Sequence, residues 1–556
     1  MKSLMVVICA FLAVGGLCSA DDCIWYNYAG GSFGDASNWN YNKVPESWDR
    51  AFFPFMNMPY TVTLDNSYEN IAMYVDGADL TLNLNGNAYN LSGAPEENRS
   101  VFIGHSDTEA SSLTLNNGGN NGWLYSGDVS IGYYNWASGS LTLLGSDAYW
   151  TTLFLGDWHG VWIGEEGDAK LAVVDGAKFL HGHGWSAVGA ESEVIIDVNG
   201  NNSEWYVDGQ FDMSVNGKTT VNVNNGGLVD IGKLTMGVER GSLAEININS
   251  ETQQDSELRL HANWETSLTL GQNGRATLGV YGSKVWNKGS MIIGENPGSS
   301  GQLEIHDGSQ VDCDGSLAVG GTFERHGGTG RIEVIDSQLY AANNAADQYV
   351  KVWPRGTIVL DGGDITTSYE LSANPIVLQG GTLEGNGVIW AQLENRGGLV
   401  AATDEGNRIS VGYNYTQDEA GTLKVVLRRS DSYSFLQVNN PNFGQANIDG
   451  FLDVEFIDGF VPNYEDEFAV IRATSVAGKF INAVSEYVFE DGSFDVEYRD
   501  GDTDEVVLTH YSPTPYCLKY PNSDLNKDCK VDMVDFAIFV SEWLECGLEP
   551  ESECSN

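Results

Sequence analysis

Near the C-terminus, the run Asp524-Leu525-Asn526-Lys527-Asp528-Cys529-Lys530-Val531-Asp532-Met533-Val534-Asp535 sets oxygen side chains at positions 1, 3, 5, 9 and 12 of a twelve-residue loop. Calcium is a hard cation that takes six to eight oxygens, and alternating donors wrap a chain around one centre. On that template Asp524, Asn526, Asp528 and Asp535 ligate Ca2+ through side chains and Lys530 through its carbonyl. Asp532 acts directly or through water. Position 6, where the sharp turn favours Gly, is Cys529. Beyond the loop, Phe536, Phe539, Val540, Trp543 and Leu544 fall at i, i+3, i+4, i+7 and i+8, which is one apolar face of a helix.

Other candidate chemistry is sparser. The eight histidines are scattered, and the one close pair, His181-Gly182-His183, lacks a third ligand for a metal. Two acidic clusters, Glu165-Glu166…Asp168 and Asp500-Gly501-Asp502-Thr503-Asp504, fall in turns and read as solvated turns. There is no Gly-x-Ser-x-Gly and no phosphate loop, so no nucleophile, base and orienting group assemble on paper. A non-catalytic protein is expected. Six of the fifteen tryptophans (123, 136, 150, 158, 162 and 185) crowd into 63 residues. Exposed in turns, Trp136, Trp158 and Trp162 are candidates for stacking on a glycan; the competing reading has these rings packing loops onto a wall.

The elements that must carry these residues repeat. From about Tyr60 to about Leu378 an apolar-x-apolar-Gly unit recurs as Val101-Phe102-Ile103-Gly104, Val129-Ser130-Ile131-Gly132, Val161-Trp162-Ile163-Gly164 and Met291-Ile292-Ile293-Gly294. Looser copies are Ala187-Val188-Gly189, Thr235-Met236-Gly237, Thr269-Leu270-Gly271 and Ala318-Val319-Gly320. Alternating strands such as Lys170-Leu171-Ala172-Val173 and Gln302-Leu303-Glu304-Ile305 follow, several closing on Asp-Gly. Spacings run from 23 (271 to 294) to 34 (237 to 271), and one gap of 48 (189 to 237) hides a unit at Met213-Ser214-Val215-Asn216 with Asn in the Gly place. Periods in this range mean a repeat architecture, each unit burying its apolar side only against the next. Strand alternation without helical spacing predicts an all-β parallel β-helix of ten or so coils. The Gly closing each unit turns a corner at positive φ or permits close stacking.

At the other end, Lys2 precedes an apolar run from Leu4 to Leu17 and the small residues Cys18-Ser19-Ala20, the pattern of a secretory signal peptide. No later run reaches the length of a membrane span. Removing the leader takes one Lys and no acid, leaving 77 acids against 27 bases and a net charge of −50. Such a charge speaks against nucleic acid and anionic membranes as partners. The expected organisation is a signal peptide (1–20), an opening segment (21–60), β-helix repeats (61–380), a β-rich closing segment (381–510) and a small α-helical calcium module (511–556).

The wording Ile-Gly…Gly-x-Leu-x-Val…Gly-Ala/Ser resembles passenger-type, autotransporter-like β-helix repeats of bacterial surface proteins. The opening Trp25…Gly34-Asp35-Ala36-Ser37-Asn38-Trp39…Val44-Pro45…Asp49 and the closing stretch from Gly380-Gly381-Thr382-Leu383 to Val476-Ala477-Gly478-Lys479-Phe480 resemble the segments that begin and end such passengers. The resemblance implies an extracellular or cell-surface adhesive or spacer rod; polysaccharide lyases and hydrolases also occupy β-helices, so a carbohydrate-active enzyme is the alternative. The calcium loop with its helix resembles one repeat of a type I dockerin, an EF-hand-like module, which implies docking to a cohesin-like or other surface protein. Dockerins carry two such repeats and this chain shows one. Their partner-selecting loop positions 10 and 11 are Met533 and Val534 here, in place of the common hydroxyl pair.

Four of the six mature cysteines, Cys517, Cys529, Cys546 and Cys554, lie in the last forty residues, as in small stapled secreted modules, and allow three pairings. A dozen helical residues put Cys529 and Cys546 about 18 Å apart, beyond disulfide reach. The favoured expectation is Cys517 with Cys546 and Cys529 with Cys554. Cys23 and Cys313 are expected to be unpaired.

Overall fold

The computed structural model describes residues 21–54, 58–93, 99–106, 110–154, 157–250, 254–262, 266–369, 372–403, 408–439, 444–514, 521–527, 529–541 and 543. Each coil lays down three short strands, as in Ser300–His306, Gln310–Cys313 and Leu317–Val319. We call the three walls built from these positions sheets I, II and III. Every strand pairs in parallel with its counterpart one coil on, for example Leu303 with Ile332, Val311 with Leu339 and Val319 with Val352. The result is a parallel β-solenoid of about 16 turns, roughly 75 Å long at the strand spacing of about 4.8 Å.

That is more coils than the ten or so expected. After Val352 the corner glycines drift along the chain, and one coil shortens to the interval 380 to 397 between Gly380 and Gly397, outside the sequence period. Coiling therefore continues to Ser475–Gly478.

The alternation in each strand sends one side chain inward and the next outward. On sheet I the inward residues stack as in-register rows, one of which runs Leu141, Leu171, Ile196, Val221, Ile246. All are buried, each worth about 1.5–3 kcal/mol of transfer free energy.

The corners explain the repeat. From sheet III to sheet I, Gly294 sits at φ 73°, and a Cβ there would overlap the carbonyl oxygen of Thr329 on the next coil. Both reasons for glycine thus operate at this corner. In the two irregular units the same corner is held by Ala187 (φ 47°) and Ser214 (φ 56°). The sequence expectation had placed it at Gly189 and Asn216, two residues late in each case. From sheet I to sheet II the turn is Asp307-Gly308, with φ of 60° and 75°, the pair of left-handed residues that Asx-Gly turns supply. The corner from II to III is the permissive one. It carries the hairpin of Leu153–Phe154 with Asp157–Trp158, that of Ser368–Tyr369 with Ser372–Ala373, and a loop at 343–349.

Both ends of the stack are closed. At the N-terminal end Trp25, Phe33 and Phe53 each pack edge-on against Trp39, with Trp25 and Trp39 centroids 5.1 Å apart. Asp49, fully buried, ties this plug together: it meets Lys43 Nζ at 2.8 Å and accepts the backbone N–H groups of Glu46 and Asp21. Burial alone would raise its pKa, but these partners outweigh it and hold the carboxyl below the usual range. The exposed edge strand is capped by a side chain, since Asn40 Oδ1 accepts from Ile24 N and Nδ2 donates to the Asp22 carbonyl.

The C-terminal end mirrors this arrangement. Glu486–Phe489, Gly492–Arg499 and Asp504–Pro513 turn antiparallel over a cluster of Phe456, Phe468, Phe494 and Tyr511. Asn482 caps both the N–H and the C=O of Leu452 on the last sheet I strand. Among the described residues no helix is long and apolar enough to cross a membrane.

Candidate functional site

The C-terminal module is built around two inward carboxylates. Asp524 and Asp535, positions 1 and 12 of the loop, are buried although the segment around them is exposed. Asp524 Oδ2 accepts the N–H of Cys529 at 2.8 Å. Asp535 Oδ1 accepts from Leu525 N (2.6 Å) and Asn526 N (3.2 Å), and its Oδ2 accepts from Asp532 N at 2.9 Å. These N–H donors, that of Asp532 first, hold the Asp535 carboxyl below its ordinary pKa and therefore ionised. Cys529 adopts φ 70°, taking the left-handed turn for which glycine is the usual choice. Asp532 caps the helix Met533–Ser541 by accepting Val534 N at 2.8 Å.

Positions 1 and 12 are thus drawn to one side of a tight loop by its own backbone, and the donor set offers hard oxygens suited to Ca2+. Asp528 lies outside the described residues. Among the described residues no three His, Cys, Asp or Glu side chains are already gathered as metal ligands.

The helix leaves its apolar face open. Met533, Val534, Phe536, Phe539, Val540 and Trp543 are all exposed, and Phe539 meets Trp543 edge-on at 4.7 Å. Between helix and loop lies a cavity of about 460 Å³ lined by Leu525, Val531, Phe536 and Phe539 on its apolar side. Of the tail cysteines only Cys529 is described, and no two described cysteines are joined. The pairings expected with Cys517, Cys546 and Cys554 fall outside the described residues. Cys23 and Cys313 are free and buried, their thiols pushed up to about 11 and about 12, chiefly by burial.

The tryptophan cluster separates into different roles. Trp150 is interior, its Nε1–H donating to Ser126 Oγ at 2.8 Å. Trp162 stands outward on sheet III between Ser130 and Trp185 in register. The Arg99 guanidinium lies 4.6 Å from its ring centre, and Trp185 stacks at 4.9 Å with planes 19° apart. With cover on both faces, Trp162 has no ring face left for a sugar. Arg99 is itself clamped by a two-pronged ion pair to Glu165, at 2.7 and 2.9 Å, across the small residue Ser130. The Glu165 cluster is therefore a strap between coils, and nothing in the one-dimensional order flags an Arg 66 residues away. Trp136 is 78 % exposed at φ 72°. The side chain of Trp158 lies outside the described residues.

The other candidates resolve into scaffold. His181 and His183 straddle the Gly182 corner. His181 points into the core, where Nε2 accepts from Trp205 Nε1 (2.9 Å) and Nδ1 meets the His183 carbonyl (3.1 Å). Full burial lowers its pKa to about 3. His183 is exposed and accepts Gln210 N, so the two rings do not converge. In the second acidic run Asp504 accepts the N–H groups of Gly501 and Val476, making it a turn brace.

Comparison with known protein families finds no family model that matches the chain, and comparison with curated proteins finds no match.

Proposed function

We propose that the protein is a secreted, non-catalytic β-solenoid rod, attached through its calcium-dependent C-terminal module to a cohesin-like or other surface protein. The observation that carries this reading is the pairing, in one short module, of an oxygen-rich loop holding the Asp524 and Asp535 carboxylates inward with a helix whose apolar face is uncovered. A long rod closed at both ends and ending in such a module is a spacer with a fastening. The leader-like N-terminus and the net charge of −49 fit an exterior setting. Asp524, Asn526, Asp528, Lys530, Asp532 and Asp535 hold the Ca2+. Met533, Val534, Phe536, Phe539, Val540 and Trp543 meet the partner.

Calorimetric titration of the full-length protein with Ca2+ should give one site per chain, abolished in Asp524→Ala and Asp535→Ala. Retention on an envelope fraction of the source cell should require Ca2+ and fall on chelation. Absence of calcium binding, or retention indifferent to chelator, would overturn the reading.

A second reading, a carbohydrate-active enzyme carried by the same tail, has one feature in its favour. Asp312 on sheet II and Asp314 in the bend just after its strand are neighbours, and burial raises both carboxyls above their ordinary range. Release of reducing ends from a polysaccharide by the wild type and not by Asp312→Asn would select it.

A further inference from the structure

Apart from Asp312, one outward row of sheet II is used by nothing above. Successive coils place Trp286, Asp312, Tyr340, Thr366 and Trp390 in direct register. Trp286 is 55 % and Trp390 47 % exposed. Among the described residues no aromatic ring or cation is stacked on either, in contrast to Trp162. Trp390 is seated: its ring covers Gly412 on the next coil, where any Cβ would overlap it. Gly412 has no left-handed φ, so its lack of a side chain serves the indole.

The geometry of the row selects its ligand. Four coil rises separate the two indoles by about 19 Å along the rod. Between them the surface is a nearly flat sheet face presenting hydrogen-bonding groups: Asp312, Tyr340 and Thr366 in the row, and Gln310, Gln338 and Asp364 in the row beside it. Gln310 Nε2 donates to Asp312 at 2.8 Å and Tyr340 OH to Gln338 at 3.0 Å, which fixes these groups in place. Lys284, level with Trp286 in the neighbouring row, is the one cation in these two rows, and it is ion-paired with Asp255 at 2.7 Å. A polyanion is therefore disfavoured, both by these acids and by the whole-chain charge of −49. A peptide strand would need a free sheet edge, which a sheet face does not offer. What fits is a long, uncharged chain with apolar faces to stack on indoles and hydroxyls to meet carboxylate, amide and phenol.

We propose that sheet II, from Trp286 to Trp390, binds an uncharged polysaccharide lying along the rod axis. The chain stacks on the two indoles and hydrogen-bonds to Asp312, Tyr340 and Thr366 between them. This does not depend on the calcium tail, and the test is run in chelator so that the two stand or fall separately.

The full-length protein is assayed for retention on cellulose, on an insoluble β-1,3-glucan and on mannan, with polygalacturonate as the acidic control. Retention by at least one neutral polymer is expected, falling at least tenfold in Trp286→Ala and in Trp390→Ala and unchanged in Trp136→Ala. On the unaltered protein, the bound polymer should protect Trp286 and Trp390 from oxidation by N-bromosuccinimide. Three outcomes would overturn the proposal: no retention on any neutral polymer, wild-type retention by the folded Trp286→Ala and Trp390→Ala variants, or equal retention on polygalacturonate.

Discussion

His181→Gln removes the titrating group from the middle of the solenoid while keeping an amide that can accept from Trp205 and donate to the His183 carbonyl. The wild-type imidazole is held neutral by burial, with a pKa of about 3 against 6.5 in the unfolded chain. The unfolded state therefore binds the proton first. Stability from this residue is fully present above pH 6.5, falls as the pH drops through the window down to about 3, and is then exhausted. At about 1.4 kcal/mol per pKa unit the whole loss is roughly 4–5 kcal/mol, of which about 2 kcal/mol falls between pH 7 and pH 5. The acids that titrate below this range are shared by both proteins and cancel in the comparison. Urea unfolding followed by tryptophan fluorescence at pH 7, 6 and 5 should show the wild type losing about 2 kcal/mol more than the variant. Parallel pH profiles for the two would refute the argument, since they would mean the imidazole is not buried neutral in the fold.

Two further perturbations test the scaffold. Gly294→Ala and Gly308→Ala both place a side chain at positive φ, but only the first meets a backbone carbonyl; nothing lies within 4 Å of the second. By thermal unfolding, Gly308→Ala should cost about 1–2 kcal/mol and Gly294→Ala clearly more, equal costs arguing against close coil stacking as a reason for the corner glycine. Asp49→Ala removes the acceptor of two backbone N–H groups and leaves Lys43 only its ion pair with Asp21, and should destabilise the N-terminal plug by about 2–4 kcal/mol. Hydrogen exchange is expected to rise across residues 21–54 while the central coils stay protected.

How much of this could be read from the sequence depended on which residues enforce a pattern. Strand alternation and the Ile-Gly corner are strict because an outward Ile, or a Cβ against the next coil, costs energy in every turn, and so the solenoid was legible. The corner at Ala187 and Ser214 was misplaced because an L-residue can occupy the left-handed region at a cost, and the search followed the residue type. The coils beyond Val352 were undercounted because their corner glycines shift and one coil shortens to the interval 380 to 397. The tail loop was legible as an alternating-oxygen template, and its backbone holds the carboxylates at positions 1 and 12 inward. Trp162 looked like an open ring because Arg99 and Trp185 reach it only through coil stacking. Trp286 was overlooked although Lys284-Val285-Trp286-Asn287 alternates plainly. Searching for clusters along the chain hides rows that run across it.

The asparagines that cap the first and last strands have a consequence for how such a molecule changes over generations. Neither Asn40 nor Asn482 contacts the coils in the middle. Duplicating or deleting one whole coil would leave both terminations intact and alter the reach of the rod by a single step of about 4.8 Å. Length is thus an inherited count, adjustable by recombination between like coils. The same side chains satisfy backbone groups on one edge strand at each end, where another molecule would otherwise add a strand.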